Sequence, residues 1–512
     1  MLWTALGLLI FLAALRTASS SPIDSDGASN VLQAADMLHG NLVLAHWQVS
    51  DVSFYLTDLP LYAVLVLIFG TVPLVVHAGA AMVFTAVVLL AALLAKGRSS
   101  DRPALLRAAL AGTIVFIAPF DPVGIRLYLS SPDHVSTAAM GLLMLLIVDR
   151  WWPREERPSR RVILLYVLVA AVAELSDMMA IVVLALPIMA ISALRISRAL
   201  PGRAADRWLF LSTTVSLVLA LLGVRLLQAA GGFTIFAPAT RFTSAERLGS
   251  DLVITYRQFL TLFGADFTGH HLSRHSITPV LHLLALVLVV IAVLGAIRSF
   301  FELDRLEQIL VTVIVVNLAA FTLTTQAMIT QSARSFLAVL GCGAVLAARR
   351  LAEPLTRLKL VPAVAAGLAL CLGLSLIALR HGARDEAQVS GQTGQNNVAL
   401  AAWLRANRLT YGLGSYWNAS GVTVQSRGDV KVRPVMLHNG RLAVMDTEFD
   451  RTWYDSSRHL ATFLIIGQDR HDMKAIALKT YGAPARTADV ATSTILVWNR
   501  NLLPVAPSPR DE

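Results

Sequence analysis

Cysteine and charge are the two things this chain has little of. Cys342 and Cys371 are the only thiols in 512 residues, and both lie inside apolar runs. Neither a disulfide framework nor a cysteine-based zinc site can be built from them. Charged residues make up 15% and hydrophobic residues 56%, with a mean hydropathy of +0.64. Ordinary soluble domains carry about 25% charged residues, so a soluble enzyme is excluded on composition. The Gly-x-Gly at Gly412 and Gly414 has no strand-then-helix setting for a dinucleotide, and no fixed-period repeat is present.

What is present is a series of long apolar runs. Eleven of them read as helices: 2–15, 61–95, 104–120, 135–149, 161–175, 177–194, 208–228, 279–297, 307–323, 335–348 and 360–379. A bilayer core takes about 20 helical residues, so the pattern predicts a polytopic α-helical membrane protein with about eleven transmembrane helices. Arg and Lys gather at every second connection: Lys96, Arg98 and Arg102; Arg150 to Arg161; Arg195 to Arg207; Arg298 and Arg305; Arg349 to Lys359. The positive-inside rule then puts the amino terminus in the cytoplasm and the carboxyl terminus outside, in a multi-pass plasma-membrane protein. It also accounts for a net charge of +10 without a nucleic-acid partner. Residues 2–15 lack a basic n-region and are followed by Arg16, which suits an uncleaved anchor.

Two domains follow from this reading: 1–380 in the membrane, and 381–512 as an extracytoplasmic α/β domain. Segments 17–60 and 229–278 are long outer loops. In the tail, Asn396 to Leu409 has helical spacing, and Val430 to Leu437 and Arg441 to Met445 read as strands joined at Asn439-Gly440, a hairpin signal. Ser457 to Ile466 and Asp472 to Tyr481 read as helix or buried strand, and Ser493 to Asn499 as a last strand. The aromatics of Tyr411 to Asn418 suit either sugar stacking or core packing.

The first outer loop carries the chemistry. Ala28, Val31, Leu32, Ala35 and Leu38 recur at helical spacing, giving an amphipathic helix expected to lie on the outer leaflet, with Asp24 and Asp26 at its start. An Asp before a helix is a preferred cap; a carboxylate at the membrane surface can also face a lipid-borne substrate. Then come Trp47, Phe54 and Tyr55, the stretch Asp58-Leu59-Pro60-Leu61-Tyr62, and an apolar run closing on Gly70.

This opening resembles that of the GT-C membrane glycosyltransferases, in the group containing protein O-mannosyltransferases and the lipid A aminoarabinose transferase. Asp26-Gly27 stands where that group usually has Asp-Glu, and Asp58-Leu59-Pro60-Leu61-Tyr62 where it usually has Lys-Pro-Pro-Leu-Tyr. The late helix start Gln331-Ser332-Ala333-Arg334-Ser335 resembles the group's Arg-containing one. The resemblance implies a polyprenyl-phosphate sugar donor and inverting transfer to a cell-envelope glycan, lipid or protein on the outer face. Asp26 is then the general base, with Asp24 beside it. A base of this kind supplies about 10²–10⁴-fold.

Arg334, at the outer mouth of a span, would meet the leaving phosphate with its guanidinium fork, unless it only snorkels to lipid headgroups. Asp58, Tyr62, His134 and Asp177 are candidates for supporting the site or binding the acceptor. Asp121, Asp133 and Glu174 also gather at outer mouths. No residue is assigned to a metal, though a divalent cation stays open as a cofactor; His270, His271 and His275 look like a ligand cluster but read more simply as a polar loop. The rival class is a transporter or flippase of envelope lipids or glycans, and a third is a non-catalytic scaffold. The clustering of polar groups on one face disfavours transport, for which mid-membrane charges and inverted repeats are usual. The Ala-, Arg- and Leu-rich usage suits a GC-rich bacterial genome.

Overall fold

Each of the eleven apolar runs is helical in the computed structural model, which describes residues 2–120, 122–130, 134–236, 240–268, 274–328, 332–382, 392–467 and 471–508. Among the described residues five helices are long and apolar enough to cross a membrane: Pro73–Lys96, Arg203–Ala229, Pro279–Arg298, Arg305–Thr322 and Ala333–Arg357. Shorter apolar helices accompany them, so the chain is a multi-pass membrane protein with fewer full-length spans than apolar runs. The run 61–95, too long for one span, is two helices, Leu59–Phe69 and Pro73–Lys96. They are parted at Gly70, whose φ of 76° favours glycine, and the second opens at Pro73, which suits a first turn. Many large apolar side chains stay exposed, among them Leu9, Leu67, Leu164 and Leu226, as expected of lipid-facing surface.

The chain divides into two compact units. The first comprises Met1–Thr17, Ala80–Val224 and Ala239–Gly382; the second comprises Ala18–Gly79, Arg225–Pro238 and Ala383–Glu512.

In the first unit the helix Leu337–Arg357 is the hub. It packs on Arg102–Ile117, Val135–Trp151, Arg274–Arg298 and Arg305–Thr322. Small residues make this possible: a Cβ added at Gly343 would come within 2.7 Å of Val289, and one at Gly341 within 3.1 Å of Leu142. At the arginine-rich connections, Asp206 is held by Arg195 Nε at 3.1 Å and Arg305 Nε at 2.6 Å, all three buried or nearly so. A buried carboxylate needs such partners.

Among its described residues the second unit contains nine short strands: β1 (Trp47–Val49), β2 (Thr234–Ile235), β3 (Tyr411–Gly414), β4 (Lys431–His438), β5 (Arg441–Val444), β6 (Phe449–Asp450), β7 (Phe463–Gly467), β8 (Arg486–Val490) and β9 (Ser493–Val497). Six form a sheet in the order β5-β4-β3-β7-β9-β8, with β4, β3 and β7 parallel. The β4–β5 hairpin turns at Asn439 and Gly440, both at positive φ, as the sequence predicts. The predicted tail helix is Gln392–Ala406, while 457–466 resolves as strand β7 and 472–481 as helix His471–Tyr481.

Leu400 and Leu404 of that tail helix and Ala419 and Val422 of Tyr416–Gln425 cover one sheet face with Phe463 and Ile465. On the other face Tyr411, Leu413, Val435 and Leu464 share one core with Leu44, Trp47, Val52, Phe54 and Leu59. A second sheet, β2-β1-β6, joins the same three stretches of chain: Gln48 pairs with Thr234 and with Phe449.

The helix expected to lie on a leaflet does not do so. Ser25–Leu38 is packed inside the second unit against Leu59–Phe69 and Tyr416–Gln425, with Ala28, Ser29, Asn30, Val31 and Gln33 buried. Ser29 and Gln33 are drawn inward because a buried carboxylate there needs their donors.

Candidate active site

Asp24 has the extended backbone of an N-cap and its Oδ1 accepts from Gly27 N at 2.9 Å. It starts the helix, the role that its residue type predicts. Asp26 lies one residue into the first turn, where the amide dipoles favour an anion. Its Oδ1 accepts a short hydrogen bond from the hydroxyl of Tyr416, the first residue of Tyr416–Gln425. Ser25 Oγ donates to the Tyr416 carbonyl at 2.5 Å, so two adjacent residues of one helix start clasp both ends of the tyrosine. A phenol donating to a carboxylate favours its charged form.

Next to this pair is Glu448, 6% exposed, in a left-handed conformation (φ 57°) between β5 and β6. Its Oε2 accepts from Ser29 Oγ at 2.8 Å and Gln33 Nε2 at 2.9 Å, and its Oε1 from Ser50 N at 3.0 Å. Burial pushes its carboxyl up to about 7, with the Asp26 charge adding to the rise against the opposing hydrogen bonds. Burial, followed by the charges of Asp26, Glu448 and Asp24, raises the Tyr416 phenol well above its ordinary range. The phenol therefore stays protonated and remains a donor. The result is a set of three carboxylates in mutual electrostatic reach, differing in burial and hydrogen bonding.

The other predicted residues are placed as follows. Asp58 is fully buried at the start of Leu59–Phe69 and accepts from Thr57 Oγ1 at 2.7 Å. Tyr62, also fully buried, lies with its hydroxyl 3.4 Å from the Val76 carbonyl and its ring against Gly79, where a Cβ would come within 2.6 Å. In the first unit, Asp177 and His134 are brought together: Nδ1 of His134 lies 2.8 Å from Asp177 Oδ2, which also accepts from Thr137 Oγ1, while Met179 N donates to Oδ1 at 2.8 Å. Glu174, one turn earlier, accepts from Ser216 Oγ at 3.1 Å. Arg334 sits on the 3₁₀ turn Ser332–Phe336, which packs on Leu248–Leu262 and Leu337–Arg357. Asp121, Asp133, His270 and His271, and the side chain of His275, lie outside the described residues.

Among the described residues no three His, Cys, Asp or Glu side chains are grouped to hold a metal. A cavity of about 630 Å³ opens among Arg98, Asp149, Arg305 and Arg349 in the first unit, but Arg305 and Arg349 are tied into ion pairs there and the cavity belongs to the basic connections.

Tyr416 and Glu448 were invisible to sequence reasoning as site residues. Tyr416 lies in the aromatic stretch singled out for stacking, but nothing in its spacing ties it to Asp26; Glu448 follows an unremarkable strand end.

No protein-family model matches the chain, and no curated protein does. Among solved structures the chain is similar to ArnT from Cupriavidus metallidurans in the apo state, at 12% identity and a TM-score of 0.58, covering 97% of each chain. It is similar to the same enzyme bound to undecaprenyl phosphate at 11% identity and a TM-score of 0.59, again over 97% of each. At this identity the likeness is one of fold. The fold is the one that ArnT has, over nearly the whole of both chains.

Proposed function

We propose that this chain is a membrane glycosyltransferase that moves a sugar from a polyprenyl-phosphate donor to a cell-envelope acceptor on the extracytoplasmic face, with inversion. Two things support this. The fold is shared with ArnT, one of whose structures has undecaprenyl phosphate bound, and Asp26 falls on the matching stretch of sequence. The observation that carries the reading is the Asp26–Tyr416 hydrogen bond beside buried Glu448. Asp24 accepts from the backbone of its own helix, whereas Asp26 accepts from a phenol on a distant helix.

In the proposed reaction Asp26 takes the proton from the acceptor hydroxyl as that oxygen attacks the anomeric carbon. The bond to the phosphate oxygen breaks, and the polyprenyl phosphate departs as an anion without needing a general acid. Arg334 is the proposed partner of the departing phosphate. The active face is the outer one, opposite the arginine-rich connections.

The test is transfer from a panel of radiolabelled polyprenyl-phosphate sugars in membranes carrying the wild type or Asp26→Asn, with and without a chelator. Label moved by the wild type alone identifies the donor and supports the base; loss with the chelator adds a metal. Lipid movement between leaflets by both proteins, with no transfer, would make the chain a transporter and Asp26 a structural residue.

A further inference from the structure

Lys431 and Arg433 are two apart on β4 and so point to one face of the tail sheet, the face on which Tyr411 of β3 lies opposite Lys431 in register. Arg433 is 7% exposed. Its guanidinium carbon lies 3.8 Å from the centroid of the Trp453 ring and 5.5 Å from that of Tyr411. His459 stacks on Tyr411, with ring centroids 4.6 Å apart and planes 9° from parallel.

A guanidinium has five N–H donors. Among the described residues the only hydrogen bond it makes is from Nε to the Tyr411 hydroxyl, at a long 3.4 Å. The two nearby carboxylates are otherwise engaged: Asp450 Oδ1 accepts from Thr452 N at 2.7 Å and Thr452 Oγ1 at 2.8 Å, while Asp455 accepts from Ser457 and pairs with Arg458 at 3.2 Å. The remaining charges are positive. Burial, then Arg433 and Lys431, hold the His459 imidazole below its ordinary range, with Asp455 opposing. Stacking on two rings offsets only part of the cost of burying an unpaired cation. The other donors of the fork face no protein acceptor among the described residues.

We infer that Arg433, with Lys431 and His459, forms an oxyanion-binding site on the tail sheet, for a phosphate or carboxylate carried by a sugar. The fork supplies paired donors to two oxygens, the Lys431 ammonium adds charge, and the His459 ring can add a neutral N–H donor from the rim. The buried Trp453 and Tyr411 rings hold the fork in place from below. The site is separate in its residues from Asp26 and stands whether or not the chain is a transferase.

The test uses the full-length protein in detergent at constant ionic strength, with inorganic phosphate, glucuronate, glucose or chloride added, read by thermal unfolding. Phosphate or glucuronate should raise the midpoint by several degrees and saturably, while glucose and chloride do not; the stronger of the two tells which anion the site takes. Lys431→Ala, an exposed change that leaves folding intact, should weaken the response about tenfold, and Arg433→Met should abolish it. If Arg433→Met fails to fold, His459→Ala takes its place and should weaken the response by a similar factor. A response equal for chloride and phosphate, or undiminished in Lys431→Ala, or absent in the wild type, overturns the site and leaves Arg433 a stacked core residue.

Discussion

Tyr416 donates its hydroxyl hydrogen bond to Asp26, 390 residues earlier in the chain. The carboxylate that the sequence singles out is thus held by a residue of the tail. Asp26→Asn, nearly isosteric, should lower sugar transfer about 100-fold with folding intact, since it removes the base and little else. Near-normal turnover of radiolabelled donor would make Asp26 structural.

Tyr416→Phe removes the donor and keeps the ring, which packs at 5.2 Å from Trp417. A hydrogen bond to a charged group is worth about 1.5–3 kcal/mol, so transfer should fall roughly tenfold or more. The loss should fall mainly in kcat, because the phenol orients the base instead of meeting the donor. Steady-state kinetics with varied donor would show this, and a change confined to KM would contradict it.

Glu448 gives a pH dependence of stability whose sign is fixed. Its folded carboxyl is raised from the ordinary 4.5 to about 7. The folded state therefore binds more protons between those values, so its contribution is full below pH 4.5 and is lost as pH rises toward and through 7. At about 1.4 kcal/mol per pH unit the loss is roughly 3 kcal/mol. Glu448→Gln should flatten this slope and narrow or reverse its own stability deficit at pH 8. Unfolding midpoints of both proteins at pH 5, 6, 7 and 8 test it, and parallel profiles would count against it.

Asp177 receives His134, Thr137 and Met179 N in a site where it is 2% exposed. Asp177→Ala leaves those groups buried without their acceptor and should cost about 3–5 kcal/mol. Asp177→Asn, which keeps one acceptor oxygen, should cost visibly less. Thermal unfolding in detergent separates the two, and equal effects would show that the side chain fills space only.

Gly412 on β3 faces the Phe463 ring, where a Cβ would come within 2.5 Å. Gly412→Ala should therefore destabilise by about 1–3 kcal/mol through overpacking, whereas Gly373→Ala, with open space around it, should not. A matched pair of unfolding curves checks this.

The membrane part of the fold was legible because apolar runs and arginine-rich turns are local signals. Where a run was too long, as at 61–95, the break lay in single residues such as Gly70 and Pro73. The tail hairpin was legible in Asn439-Gly440. The first-loop helix was legible as a helix but not in its environment: its apolar stripe suggested a leaflet, whereas Ser29 and Gln33 are buried because Glu448 needs donors. That requirement depends on a residue over 400 positions away, and no periodicity carries it. For the same reason Gly412 and Gly414 read as lacking a strand-then-helix setting, whereas they lie in the central strand β3, which leads straight into Tyr416–Gln425, and Gly412 makes room for Phe463. Asp26, Asp58, Tyr62, His134, Asp177 and Arg334 were selected by type and by nearness to outer mouths. Of these, His134 and Asp177 are in direct contact, while Asp58 and Tyr62 are interior to the second unit.

The second unit is assembled from stretches that leave the ribosome at very different times. At about 5–20 residues per second, Tyr416 is made some 20–80 s after Asp26. During that interval the helices between them can enter the membrane while the first loop waits without its tyrosine, its glutamate or the sheet that completes its core. A nascent chain therefore holds Asp26 without the phenol that meets it in the finished fold until residue 416 has been made.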